Sequence, residues 1–394
     1  MQSCTMHLSL LSISLTALVA CSDSPDSPTA PVEPVVTTAE AATGPSFVQV
    51  SGGNEHTCGI APTNPRLLCW GIGMFGDGNG FNYEPRPPTP TYYTEKSYRV
   101  VSSGYSHTCA ITTQNYLFCW GRNYYGELGD GTLIERVKPT RIGGTRLFRQ
   151  VDAGRNHTCA IAAADNKAWC WGDNSAGKLG DGTTNDRLTP VLVAGGRQFR
   201  EIAVGDGHTC GITMAGKAFC WGSDQYGQIG NGAGVTNRST PTAVSGTLVF
   251  RQIASMWFHT CGVTVDRTYC WGQNDSGQLG DGSRTTRFAP RQVVGGVVFD
   301  RVSVGAGHSC GESEANRAWC WGANNVGQLG DGTTTARLRP VAVSGNIAFR
   351  QVSTGSSHTC GVATSAIAYC WGWNRAGQLG DGTTTNRSTP VAVR

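Results

Sequence analysis

The sequence predicts an all-β protein, a seven-bladed β-propeller of four-stranded repeats about 50 residues long, on three observations. A Cys-Trp-Gly triplet recurs seven times, beginning at Cys69, Cys119, Cys170, Cys220, Cys270, Cys320 and Cys370, at spacings of 50 or 51 residues. A His-Thr/Ser-Cys triplet precedes each one, with histidines at His56, His107, His157, His208, His259, His308 and His358. Glycine supplies 54 of 394 residues, about twice its usual share, charged residues only 15 %, and no stretch sustains a 3.6-residue apolar period. Units this small bury no core alone and depend on their neighbours.

Residues 1–20 read as a lipoprotein-type signal peptide. Leu8 to Ala20 carries no charge and ends Leu18-Val19-Ala20-Cys21, which resembles the bacterial lipobox, so Cys21 is the expected lipidation site. The alternative is an ordinary signal peptide cleaved after Ala20. Both depart from the usual pattern at their start, where His7 stands and no Lys or Arg does. The apolar run of 13 residues is shorter than the ~20 that span a bilayer. Residues 21–45 read as a disordered linker: Pro25, Pro28, Pro31, Pro34 and Pro45 stand among Ser, Thr, Ala and acidic residues without apolar periodicity. No basic run points to nucleic acid anywhere in the chain.

Residues 46–394 form the ring. The last repeat shows its unit: short strands at 349–352, 358–363, 368–371 and 390–393, with a glycine-rich excursion before the fourth. If the second and third strands form a hairpin, its cysteines face each other across it. The pairs would be Cys58–Cys69, Cys109–Cys119, Cys159–Cys170, Cys210–Cys220, Cys261–Cys270, Cys310–Cys320 and Cys360–Cys370. Zinc sites use cysteines two to four residues apart, and gaps of nine to eleven do not fit. Of sixteen cysteines, Cys4 and Cys21 lie before the ring, which leaves seven pairs and an oxidising compartment.

The unit G-x-x-H-T/S-C … C-W-G-x-N-x-x-G-Q-L-G-D-G-T resembles the repeat of the regulator of chromosome condensation family, and Gln328-Leu-Gly-Asp-Gly-Thr333 and Gln378-Leu-Gly-Asp-Gly-Thr383 carry its signature stretch unaltered. The resemblance implies a ring whose first and last segments share one blade, with residues 47–50 beside residues 390–393. It does not fix function. Nucleotide exchange on a nuclear GTPase does not suit an exported chain. Light sensing through clustered tryptophans does not suit a slot holding one. Inhibition of an enzyme through one face, as in secreted bacterial propellers, is the compatible precedent.

Catalysis has little to recommend it in the repeats. A His and a Cys in every blade belong to the blade, and a bonded cysteine is no nucleophile; each histidine is expected to bond a neighbouring turn. Gly71-Ile-Gly-Met-Phe-Gly76 and Gly172-Asp-Asn-Ser-Ala-Gly-Lys178 imitate nucleotide-binding loops but occupy the excursion of the repeat. Asp130, Asp181, Asp281, Asp331 and Asp381 each precede an arginine by six residues, which reads as a loop brace rather than a calcium site.

Binding is expected where the repeats disagree. The pair before each histidine gives Tyr105, Arg155, Asp206, Trp257 and Phe258, and the stretch after Cys-Trp-Gly gives Met74, Phe75, Tyr124, Tyr125, Tyr226 and Trp373. Large aromatics and arginine are the residues enriched at interfaces. The expected function is a cell-envelope scaffold, monomeric and lipid-anchored, that recognises a protein or ligand through one propeller face without cofactor or metal. The alternatives are a propeller enzyme acting on a glycan and a purely structural envelope protein.

Overall fold

A computed structural model describes residues 45–62, 66–92 and 96–394. The signal segment, Cys21 and the linker up to residue 44 lie outside the described residues. Among the described residues the ring holds 28 strands in seven antiparallel sheets, each made of four consecutive strands paired in chain order. Among the described residues there is no helix.

The seventh blade runs Phe349–Thr354, His358–Ala363, Ala368–Gly372 and Arg387–Ala392. Its fourth strand begins three residues earlier than the sequence predicts, because a register shift after Cys370 lets Gly372 pair with Arg387. Pro390 then sits inside this outer strand. It is tolerated there because an edge strand leaves one row of N–H groups unpaired, and it blunts that edge against pairing with another chain.

Every predicted cysteine pair is bonded, and each pair is directly opposite in the hairpin register, with Cα atoms 4.0–4.1 Å apart. These seven disulfides point to an oxidising, extracellular or envelope compartment.

The core lies between blades rather than within them. In one cluster the Cys109 and Cys119 bridge with Ile111, Leu117 and Leu128 of blade two meets Phe148, Val151 and Trp171 of blade three. All seven Cys-Trp-Gly tryptophans are fully buried in such clusters. The glycine of each Leu-Gly step permits the fit: Gly180 has φ +71°, and a Cβ there would come within 2.5 Å of Trp221. Any side chain would push the next blade's tryptophan out.

The shared blade implied by the family resemblance is not formed. Blades one and seven are each built from consecutive strands, Gln49–Gly52 pairing with His56–Ile60 of its own repeat. The segment before that strand crosses to blade seven without joining its sheet: Phe47 N–H donates to Ala366 O at 2.7 Å, and Phe47, Val50 and Trp70 pack with Cys360, Val362 and Val393. The last interface therefore closes as the other six do, by packing.

Candidate functional site

The first–second turn and the excursion of each blade open at the same end. The first residue after Cys-Trp-Gly donates its N–H to the carbonyl before the histidine in all seven blades, from Ile72 to Glu55 through Trp373 to Ser357, at 2.7–3.0 Å. The two variable slots therefore share one face. Tyr226 of the second slot lies 5.0 Å from Phe258 of the first, and Phe258 meets Trp257 edge-on at 5.8 Å.

Beneath this face the inner strands surround a cavity of about 260 Å³, with Tyr105, Arg155, Asp206 and Trp257 at its mouth. The Arg155 guanidinium stands over the Tyr105 ring at 5.1 Å and reaches Asp206 at 3.2 Å, which links blades two, three and four. Trp257 owes its position to a break in the repeat. Six blades have glycine three residues before the histidine, at Gly53, Gly104, Gly154, Gly205, Gly305 and Gly355, and blade five has Met256. At Gly104 a Cβ would come within 2.4 Å of Gly154 O. Met256 escapes this by pairing with His259, which leaves a two-residue turn with Trp257 left-handed at φ +48°. A bulky residue in that region is strained.

Two of the expected residues are not surface groups. Met74 and Phe75 are buried, at 8 % and 1 % exposure. Blade one has a shorter excursion, so Phe75-Gly76-Asp77 falls in register with Leu128-Gly129-Asp130, and Phe75 fills the core slot of the leucine. Asp77 accordingly pairs with Arg86 at 2.6 Å. Tyr124 and Tyr125 are exposed, and Arg122 covers the Tyr124 ring at 4.4 Å. Trp373 is half-buried, and neither it nor the two tyrosines line the cavity.

The repeated polar groups are structural. The expected Asp–Arg braces form in all five blades, from Asp130–Arg136 to Asp381–Arg387, at 2.6–2.8 Å. Blade four exchanges two residues at once: Asp224 replaces the asparagine that donates to the brace elsewhere, and Asn231 replaces the aspartate. The imitation phosphate loop of blade three is also accounted for, since Lys178 is buried and bonded to Asp173 at 2.5 Å.

The histidines do not bond a neighbouring turn, as the sequence suggested. Each Nε2 meets the hydroxyl of the next blade's His-Thr/Ser-Cys triplet at 2.8–2.9 Å, and His358 closes the circle on Thr57. In five blades that hydroxyl donates onward to a carbonyl, as Thr209 does to Lys178 O at 2.9 Å. Its oxygen is then the acceptor, so the histidine Nε2 carries the proton. Burial holds every one of these imidazoles neutral, His208 down to about 3. The belt joins blades, and the cysteine that follows each histidine by two residues is bonded in a disulfide and so is no nucleophile.

Sequence reasoning missed the wall of the cavity. Gln49, Gln150, Gln252 and Gln351 each clamp the N–H and C=O of one residue in the next blade at 2.9–3.1 Å. The same slot holds Glu201 in blade four and Arg301 in blade six. A second slot supplies Ser51, Ser102, Ser303 and Ser353 as acceptors for the next blade's N–H, and Asp152 takes that place in blade three at 2.7 Å. Glu312 occupies a slot that is Ile or Val in every other blade, and its carboxylate accepts from Val352 N–H. Burial pushes Asp152, Glu201 and Glu312 up to about 7. Aligning the seven repeats and asking which apolar slot carries a charge would have found Glu312.

The family described as the RCC1-like domain matches residues 21–310, and regulator of chromosome condensation repeats match residues 316–362 and 367–394. E3 ubiquitin-protein ligase HERC2 of Homo sapiens is 47 % identical over 47 residues, which is 11 % of this chain and 1 % of that protein. The chain therefore spans a very small part of that relative's length. The structure of human WBSCR16 is similar with a TM-score of 0.72 at 21 % identity, covering 81 % of this chain and 87 % of that one. Prp20p from Saccharomyces cerevisiae is similar with a TM-score of 0.71 at 23 % identity, covering 89 % of this chain and 87 % of that one. At these identities the likeness to the solved structures is one of fold.

Proposed function

The chain belongs to the RCC1-like domain family, and from that premise we propose that it is an exported scaffold which binds a protein or ligand through the face around the cavity mouth. One observation carries this: side chains that the fold leaves free to vary converge there. Tyr105, Arg155, Asp206, Trp257 and Phe258 cross blades two to five, while blades six and seven present Ala306, Gly307, Ser356 and Ser357 in the same slot. A fold requirement would have imposed one residue type on all seven, as it did for the tryptophans of Cys-Trp-Gly. Prp20p is reported with binding properties to Gsp1p and histones. Those partners are not carried over, because a chain with seven disulfides matures away from the nucleus and cytosol.

The test is capture of a partner from the envelope fraction by the full chain, set beside a variant with Tyr105→Ser, Arg155→Ser, Trp257→Ser and Phe258→Ser. Serine is what blade seven carries at Ser356 and Ser357. The variant should fold and lose the partner. Equal capture by both would place binding elsewhere.

Lipid anchoring at Cys21 is the finer part of the proposal, supported by the Leu18-Val19-Ala20-Cys21 tetrapeptide. Cys21→Ser should release the protein from the membrane fraction or block its processing. Unaltered fractionation would favour an ordinary signal peptide.

A further inference from the structure

We propose that the cavity beneath the mouth is a binding site for one side-chain-sized organic cation, an ammonium or guanidinium such as a lysine or arginine that a partner inserts. This deepens the face proposed above and rests on it. The wall carries three carboxyls where the repeat prescribes neutral groups: Asp152 in a serine slot, Glu201 in a glutamine slot and Glu312 in an Ile/Val slot. Arg301 on the cavity lining acts on Glu201 and Glu312, and Arg200, which is not on the lining, acts on Glu201 as well. Arg155 at the rim is already paired with Asp206. Asp152 is stabilised by Ser102 and by Val204 N–H, and no cation lies among its partners.

A second observation, independent of charge, also points to a ligand here. Ser103 lines the same cavity, is 5 % exposed, and its hydroxyl has no hydrogen-bond partner among the described residues. Buried hydroxyls rarely go unpaired. The mouth also favours cations: Tyr105 already holds a guanidinium over its ring, and Trp257 offers a second aromatic surface beside the same opening. Size decides between ligand types. At about 260 Å³ the cavity is smaller than the ~300–1,000 Å³ of sites for small molecules, and it suits a single long side chain. Burial raises the three acids to about 7, so a cation entering among them is expected to displace protons.

The experiment titrates the full chain with capped Gly-Arg-Gly and Gly-Lys-Gly, each beside its neutral counterpart with citrulline or norleucine. Free spermidine serves as the probe for a polyamine rather than a side chain. The comparison protein carries Asp152→Ser, Glu201→Gln and Glu312→Val, each the residue that other blades hold in that slot, so its fold is retained and its melting temperature shows it. The charged peptides should bind with proton release, their neutral counterparts should not, and the triple variant should lose about tenfold or more in affinity. Saturation by spermidine but not by the peptides would keep the cation site and assign it to a free amine. Equal binding of charged and neutral peptides, no binding of any cation, or undiminished binding by the triple variant would overturn the proposal. A captured partner that is lost on Trp257→Ala but kept by the triple variant would leave the face standing and remove the cation site alone.

Discussion

Lowering the pH from about 7 to about 5 is expected to destabilise this ring more than the loss of any surface ion pair. Seven buried histidines are responsible. Burial holds His56 at about 4 and His107, His208, His259, His308 and His358 at about 3, against an ordinary 6.5, and His157 well below that value. Below 6.5 the unfolded chain takes up protons that the folded belt refuses. The stability they confer is therefore present near neutrality and is lost as the pH falls towards the folded values. Each histidine contributes a slope of up to ~1.4 kcal/mol per pH unit in that window. Five acids act in the opposite sense: Asp152, Glu201 and Glu312 at about 7, Asp224 at about 6 and Glu127, which burial also raises, keep protons in the folded ring that the unfolded chain has lost. Seven outnumber five, so the histidine sign prevails. Melting temperatures measured from neutral to mildly acidic pH should fall, and fall faster with each step. A flat profile above the carboxylate range would show that the belt opens and admits protons without unfolding.

Trp271→Ala is expected to destabilise the protein by ~3–5 kcal/mol. The ring is fully buried between blades four and five, 5.8 Å from Phe250, and its Nε1–H donates to Gln228 O at 3.0 Å. Truncation leaves a large cavity at an interface that neither blade can collapse into alone, because the circle fixes their spacing. It also leaves the carbonyl short of a donor. Thermal or denaturant unfolding checks this, and a loss of less than ~1 kcal/mol would mean that the blades re-pack freely.

Much of this architecture was legible in the sequence. Cys360, Cys370 and Trp371 recur at fixed offsets because the hairpin register and the blade interface demand those groups in every unit. Where a unit changed length the same logic failed. Phe75 stands after Cys-Trp-Gly, where Tyr125 stands in blade two, yet the short excursion of blade one delivers it to the core. The belt and the clamps were hidden for another reason. His358 bonds Thr57 and Gln351 clamps Val50 across 301 residues, contacts that exist only once the circle has closed. The shared blade was an inheritance from the family resemblance, and nothing in residues 47–50 themselves distinguished joining blade seven from packing against it.

The most direct test of the binding face is the affinity of Trp257→Ala for the captured partner, measured together with its melting temperature. Trp257 is half-buried on a strained turn in a slot that other blades fill with Asn, Tyr, Arg, Asp, Ala or Ser. The variant should melt as the parent does and lose ~2 kcal/mol or more of binding, about thirtyfold in Kd. Unchanged affinity, or a collapsed melting temperature with affinity unchanged, would make Trp257 a part of the scaffold and contradict the assignment of this face.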